Sequence, residues 1–134
     1  MGTKTAAARK ATAAPATITL PVLGKGEFNA GLIFKDGAPS HWLVLLPGHA
    51  KDVTWEQAKE FAKKAGGELP TRPEQALLFA NCKAEFEERW YWSGEQHADD
   101  ADYAWSQYFS NGYQGCSHVS GRYRARAVRR VAIQ

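Results

Sequence analysis

Residues 54–83 read TWEQAKEFAKKAGGELPTRPEQALLFANCK and contain two helix starts of the same kind. Thr54 is followed three residues later by Gln57, and this pair can cap a helix N-terminus through reciprocal hydrogen bonds. Apolar residues then recur at helical spacing as far as Gly66-Gly67, a typical helix stop. This part of the sequence therefore predicts a first helix directly after Thr54.

The second start lies at Thr71, where Glu74 completes the same capping pattern. Pro73 is compatible with a helix here because the first turn does not need its missing N–H group. The pattern predicts a helix as far as about Lys83. It presents four residues to a core: Leu77, Leu78, Phe79 and Cys82.

The sequence before the helices favours β-strands at residues 18–22, 30–35 and 41–46. The turn residues Asp36-Gly37-Ala38-Pro39 between the last two predict a hairpin. Residues 42–46 are continuously apolar, which is typical of a strand covered on both faces.

The sequence after the helices is again β-like, at residues 90–92, 103–109 and 123–131. Asn111-Gly112 is a hairpin turn signal between the last two segments. The order of strands, two helices and strands predicts an α+β fold, with the helices grouped against an antiparallel sheet.

The net positive charge of the chain comes from its N-terminus. Lys4, Arg9 and Lys10 account for the whole net charge of +3, and the remainder of the chain holds 14 basic and 14 acidic residues. Residues 1–16 are predicted to be a disordered basic arm, and residues 17–134 a single domain. A neutral body argues against a nucleic-acid partner.

Two cysteines, Cys82 and Cys116, form no paired motif and are expected to be reduced thiols. The first 20 residues contain no apolar signal-peptide core, so we expect a cytoplasmic protein. Phage particles leave a cell by lysis, which needs no signal peptide, so association with a virion remains the alternative. The longest apolar run, residues 42–46, is too short to cross a membrane.

No motif for nucleophilic catalysis is present, and no enzymatic activity is expected. Cys116 and His118 would share one face of a strand, but incidental residues are the favoured interpretation. The four histidines are scattered, and the acidic residues of 95–102 lack the glycine-containing calcium pattern. We therefore predict no metal and no cofactor.

The second half of the chain separates its charges. Residues 85–102 hold seven acids against Arg89 alone, whereas residues 103–134 hold five arginines and no acid. Arg122, Arg124 and Arg126 alternate and are predicted to project from one strand face. They could bind an anionic ligand. The favoured interpretation is that they pair with the acidic segment and with loop carbonyls and hold the last strand in place.

Aromatic residues are concentrated in the same region. Most are predicted to be core residues or cross-strand pairs, whereas Tyr113 and Tyr123 are expected to be exposed. Tyrosine and arginine on a rigid β platform are typical of protein and glycan interfaces. The aromatic set is Tyr91, Trp92, Tyr103, Trp105, Tyr108, Phe109, Tyr113 and Tyr123.

Several of these motifs, in order, resemble the Lcl C-terminal domain family over about residues 42–131. The motifs are Leu69-Pro70-Thr71-Arg72-x-Glu74, Tyr91-Trp92-Ser93, Tyr103-Ala104-Trp105, Phe109-Ser110-Asn111-Gly112-Tyr113 and Arg124-Ala125-Arg126-Ala127-Val128-Arg129. The resemblance implies a C-type-lectin-like fold with adjacent N- and C-terminal strands. It is nearest to small proteins of phages and prophages.

The sugar-binding calcium signatures of true lectins are missing, and the cysteines do not match the copper-binding pair of the related formylglycine-generating enzymes. The resemblance therefore implies neither calcium-dependent glycan binding nor that enzymatic activity. A rigid core that supports variable loops suits binding.

We expect a non-enzymatic binding module, phage- or prophage-encoded, that recognises a protein or surface glycan through loops at residues 94–102 and 111–122. The alternative is an intracellular phage protein that binds and modulates a host factor. No membrane partner is expected, and an oligomer is possible. The candidate ligand-binding residues are Glu95, His97, Tyr113, His118, Arg122 and Tyr123.

Overall fold

A computed structural model describes residues 18–133 of the chain. The predicted arm of residues 1–16, and the start of the predicted domain at residue 17, lie outside the described residues. The elements confirm an α+β class with two helices. In chain order they are β1 (Phe28–Lys35), β2 (Ala38–Leu45), β3 (Ala50–Val53), α1 (Trp55–Lys64), α2 (Arg72–Cys82), a 3₁₀ turn (Lys83–Glu85), β4 (Trp90–Gln96), β5 (Tyr103–Tyr108), β6 (Tyr113–His118), β7 (Tyr123–Ala125) and β8 (Val128–Ala132).

Both helices begin with the predicted capping boxes. The Thr54 side chain accepts from the Gln57 backbone N–H, and the Gln57 side chain accepts from the Thr54 N–H. Thr71 and Glu74 make the same exchange at the start of α2. Four backbone N–H groups at a helix start lack helical partners, and these contacts satisfy some of them.

The strands form two sheets. A three-stranded antiparallel sheet has the order β1-β2-β8, and a five-stranded sheet has the order β3-β7-β4-β5-β6. All pairs in the second sheet are antiparallel except β4 with β7, which is parallel. Helix α2 contacts β1 of one sheet and β4 and β5 of the other, whereas α1 contacts β3, β4 and β7. Helix α2 therefore packs against both sheets.

The predicted adjacency of the N- and C-terminal strands is wrong for β1 and β8, which are not neighbours in their sheet. β1 and β2 form the predicted hairpin around Asp36-Gly37, and β8 pairs with β2 from His41↔Ala132 to Leu45↔Val128. β2 therefore lies between β1 and β8 in one sheet. The physical reason is that residues 42–46 are all buried, so this strand takes the central position.

Residues 18–22 were expected to form a strand but do not pair with either sheet. The Trp42 indole N–H donates to the Thr19 carbonyl at 3.0 Å, and Arg129 donates to the Val22 carbonyl at 2.8 Å. Trp42 is 8% exposed although strand alternation directs it away from the α2 side of the sheet. The segment therefore lies across the outer face of the three-stranded sheet.

The predicted last strand, residues 123–131, is two strands in different sheets, β7 and β8. The chain crosses between the sheets at Arg126-Ala127, which is buried. There the Ala127 carbonyl accepts from the Leu46 N–H at 3.0 Å. The expectation of one continuous strand is therefore wrong.

Candidate functional site

Arg72, at the start of α2, lies over one face of the pair formed by β5 and β6. Side chains at directly paired positions of neighbouring strands share a face, so Trp105 lies beside Cys116, and Tyr103 beside His118. Cys116 and His118 are exposed, and Trp105 is half-buried. We name this the Trp105 surface. It comprises Arg72, Glu95, His97, Trp105, Gln114, Cys116 and His118.

A network of amides fixes α2 over this face. Gln75 donates to the Tyr91 carbonyl at 3.1 Å, and Gln107 donates to the Gln75 carbonyl at 2.8 Å. The Gln114 amide donates both to the Arg72 carbonyl at 2.8 Å and to the Gln107 side chain at 2.9 Å. Buried networks of this kind rigidify the elements that they join. The start of α2 is therefore held in a defined position over β6.

The centre of the surface is an Arg72–Trp105 pair. The Arg72 guanidinium carbon lies 3.4 Å from the centroid of the Trp105 ring, a cation–π contact. The Arg72 Nε donates to the Gln114 side-chain oxygen at 2.9 Å. The His97 ring stacks on Trp105 with 6.0 Å between centroids and 14° between planes.

Glu95 lies at the start of α2. Its carboxylate accepts from the Arg72 backbone N–H at 2.7 Å, which satisfies one of the open donors at the helix N-terminus. Arg72 and Glu95 line an open depression of about 740 Å³, together with Pro73, Ala76, Gly112 and Gln114. The depression presents a cation and an anion side by side.

Cys116 and His118 share this face as predicted, but they do not form an activated pair. Burial raises the pKa of the Cys116 thiol, and the nearby charge of Arg72 offsets only part of that rise. The His118 Nδ1 lies 2.7 Å from the Ser120 hydroxyl, and no hydrogen bond joins His118 to Cys116. Cys116 is therefore a protonated thiol at neutral pH, whereas nucleophilic cysteines act as thiolates.

Tyr113 is exposed as predicted, at 63%, but it lies on the opposite face of β6. It is paired with Tyr108, which is paired with Trp90, and its ring meets the Trp90 ring edge-on at 6.0 Å. Tyr113 and His118 therefore cannot contact one small ligand on a single face.

The expected exposure of Tyr123 is wrong. Its ring packs edge-on against the buried Trp92 with 5.0 Å between centroids, so it belongs to the rim of a core. Arg122 Nε lies 3.6 Å from a carboxylate oxygen of Asp52 on exposed surface. The structure therefore brings together three of the six predicted residues: Glu95, His97 and His118.

The less favoured interpretation of Arg122, Arg124 and Arg126 as a stripe for an anionic ligand is wrong for Arg126, because Arg126 is only 5% exposed. Its guanidinium donates to the Glu85 carbonyl at 2.6 Å and to the Leu46 carbonyl at 2.8 Å. Burial lowers the pKa of Arg126, and the charge of Glu85 opposes that change in part. The predicted contacts with loop carbonyls are confirmed here.

The arginines of β8 pair with carboxylates, but not with those of residues 85–102. Arg129 lies 2.7 Å from Glu27, and Arg130 lies 2.7 Å from Glu74. Arg130 also contacts Glu68. These pairs hold the last strand against segments that lie far away in the sequence.

Within residues 18–133 no group of three or more His, Cys, Asp or Glu side chains is placed to hold a metal ion. None of the helices in this part of the chain has the length and apolar composition that a membrane crossing needs.

The central members of the surface, Arg72, Trp105 and Gln114, were not among the predicted site residues. One signal was present, because Thr71 as the cap places Arg72 at the first helical position. The bond between Arg72 and Gln114 spans 42 residues and has no local signature.

A scan against models of protein families and a search of curated proteins found no match to this chain.

Proposed function

We propose that the chain is a non-enzymatic binding module that recognises a protein or surface ligand through the Trp105 surface. The observation that supports this most is the rigid mounting of half-buried polar and aromatic groups at the surface. Arg72 and His97 each pack on Trp105, and the network of Gln75, Gln107 and Gln114 holds the backbone beneath them. Preorganised aromatic and arginine side chains are common anchors of binding interfaces.

The titratable groups of the surface support binding rather than catalysis. The pKa of Cys116 is raised above its ordinary value, by burial first. The carboxylate of Glu95 accepts a hydrogen bond from the Arg72 backbone N–H at the start of α2, and the Nδ1 of His118 is hydrogen-bonded to the Ser120 hydroxyl. An acid–base or nucleophilic mechanism needs groups that are free to exchange protons with a reacting atom.

A C-type-lectin-like fold and a phage or prophage origin form part of the proposal. They rest on the resemblance to the Lcl C-terminal domain family. The order of strands, two helices and strands is compatible with that fold. The cytoplasmic location stays a prediction from the sequence.

The proposal can be tested by comparative capture on intact bacterial cells and on bacterial lysate. The double variant His97→Ala, His118→Ala changes the Trp105 surface, and Tyr113→Ala is the control on the opposite face. We expect the double variant to lose the ligand that the wild type captures, whereas Tyr113→Ala retains it. The wild type and both variants should melt at similar temperatures, because His118 and Tyr113 are exposed and His97 is only half-buried.

Retention of the ligand by the double variant would contradict the proposal, and loss only in Tyr113→Ala would move the site to the opposite face. Capture from cells would favour a surface ligand, and capture only from lysate would favour the alternative of a host factor.

A further inference from the structure

The Arg72 guanidinium is fixed in place but has no anionic partner within residues 18–133. Its Nε is bound to Gln114 and its plane lies over Trp105, whereas its two terminal nitrogens have no hydrogen-bond acceptor in that part of the chain. Three other arginines have carboxylates within 4.0 Å: Arg122 with Asp52, Arg129 with Glu27, and Arg130 with Glu68 and Glu74.

A guanidinium that is oriented by its neighbours and has free terminal nitrogens is preorganised to bind a carboxylate. Its two terminal nitrogens match the two oxygens of a carboxylate, and such bidentate pairs are stronger and more directional than ordinary hydrogen bonds. The side chain of Arg72 is already ordered by Gln114 and Trp105, so binding would order it little further.

The strand beside Arg72 is suited to pairing with an extended peptide. β6 is the last strand of its sheet and pairs with β5 over six consecutive positions without a bulge. β1, an edge strand of the other sheet, carries two register shifts, which discourage pairing with a further strand. Unpaired, regular edges are the sites to which extended peptides add as a new strand.

We propose that Arg72 binds a carboxylate of an extended polypeptide that pairs with the edge of β6. Gln114 of β6 holds Arg72, so a strand added to β6 passes beside the depression into which the guanidinium opens. Glu95 lines the same depression and repels a carboxylate on its own side. The inference rests on the proposed function and names the partner as an acidic peptide.

The test uses N-acetylated, C-terminally amidated five-residue peptides of alternating Thr and Val with either Glu or Gln at the centre. Binding is measured by the NMR shift of the Arg72 Nε–H signal and by calorimetry. We expect the Glu peptide to bind the wild type at least tenfold more tightly than the Gln peptide. Glu95→Gln should increase that preference by removing the repulsion.

The variant Arg72→Lys keeps the charge but lacks the two parallel donors, so we expect it to lose the preference for Glu. Arg89→Lys is the matched control. Arg89 is exposed and donates only to the Glu88 carbonyl, without a ring or an amide to orient it. We expect this control to keep the preference. Equal binding of both peptides to the wild type, or an unchanged preference in Arg72→Lys, would overturn the proposal.

Two further peptides refine the proposal. A Gln peptide with a free C-terminus that regains the preference, and loses it in Arg72→Lys, would identify a chain-terminal carboxylate as the partner of Arg72. A Glu peptide with methylated backbone nitrogens should lose binding, because it cannot donate to β6. Undiminished binding of the methylated peptide would refute the strand pairing.

Failure of this inference differs from failure of the proposed function. If His97→Ala, His118→Ala abolishes capture while the peptides show no dependence on Arg72, the binding surface stands and the acidic partner is wrong. If the peptides bind through Arg72 while that double variant captures normally, the proposed function is wrong.

Discussion

Replacement of Glu74 by Gln should destabilise the protein strongly. The Glu74 side chain is 1% exposed, and its two oxygens accept four hydrogen bonds. The donors are the Thr71 backbone N–H at 2.9 Å, Arg130 at 2.7 and 2.8 Å, and the His41 Nε2 at 2.7 Å. Glutamine has one oxygen and one NH₂ group in place of the two carboxylate oxygens. Its NH₂ group would therefore face N–H donors that bind a carboxylate oxygen in the wild type.

The expected loss follows from the burial of this carboxylate. Removing one partner of a buried ion pair typically costs about 3–5 kcal/mol, and glutamine retains some of the hydrogen bonds, so we expect about 3 kcal/mol. Domains of this size are stable by about 5–15 kcal/mol. With an m-value of about 2 kcal/mol/M, the midpoint of urea unfolding should fall by roughly 1.5 M.

Glu68→Gln provides a matched control, because Glu68 contacts the same Arg130 but is 72% exposed in its side chain. Exposed ion pairs contribute about 0–1 kcal/mol, so the control should lose little stability. Both variants can be followed by tryptophan fluorescence in urea at pH 7. Losses equal within about 0.5 kcal/mol would refute the reasoning from burial.

The effect of Glu74 should also depend on pH. Burial alone raises the pKa of Glu74, but hydrogen bonds from Arg130, Thr71 and His41 outweigh it and leave the pKa below the usual 4.5. A lowered folded-state pKa stabilises the protein above the unfolded pKa, and that contribution is lost as the pH falls through the folded value. The difference between wild type and Glu74→Gln should therefore shrink below pH 4.5. A difference unchanged at pH 3 would contradict this assignment.

Three more predictions concern packing, a buried cation and the thiols. Tyr123→Ala should cost about 2–4 kcal/mol in urea unfolding because its ring packs on a core, whereas the exposed Tyr113→Ala should change stability by less than about 0.5 kcal/mol. Arg126→Lys should cost about 1–3 kcal/mol, because one ammonium cannot reach both carbonyls that the guanidinium joins; a melting temperature equal to that of wild type would contradict this. Iodoacetamide should label only Cys116 in the native protein, faster as the pH rises toward 9, because Cys82 is buried; mass spectrometry showing two labels without unfolding would be the opposite result.

The features that the sequence predicted well are those with a local cause. The capping boxes at Thr54 and Thr71 depend on residues three positions apart, and the Asp36-Gly37 hairpin depends on a two-residue turn with left-handed backbone. These signals fixed the α+β class. They also placed the two helices within a residue or two of their observed ends.

The errors arise from contacts between residues that are distant in the sequence. The alternation of arginines at 122–126 predicted that all three project from one strand face, but Arg126 lies where the chain crosses between the sheets and donates to a carbonyl 80 residues away. Tyr123 was expected to be exposed by its arginine neighbours, yet it packs on Trp92 from another strand. Neither partner could be identified from spacing along the chain.

The first turn of α2 couples the fold to the candidate site. An α-helix advances by about 100° per residue, so Arg72 and Glu74 point to nearly opposite sides. Arg72 lies on Trp105 of the five-stranded sheet, and Glu74 binds Arg130 and therefore the three-stranded sheet. The buried carboxylate thus fixes the rotation of α2 that aims Arg72 at the surface. Glu74→Gln should therefore weaken binding of the acidic peptide even at temperatures where the variant is fully folded, although Glu74 cannot touch the peptide.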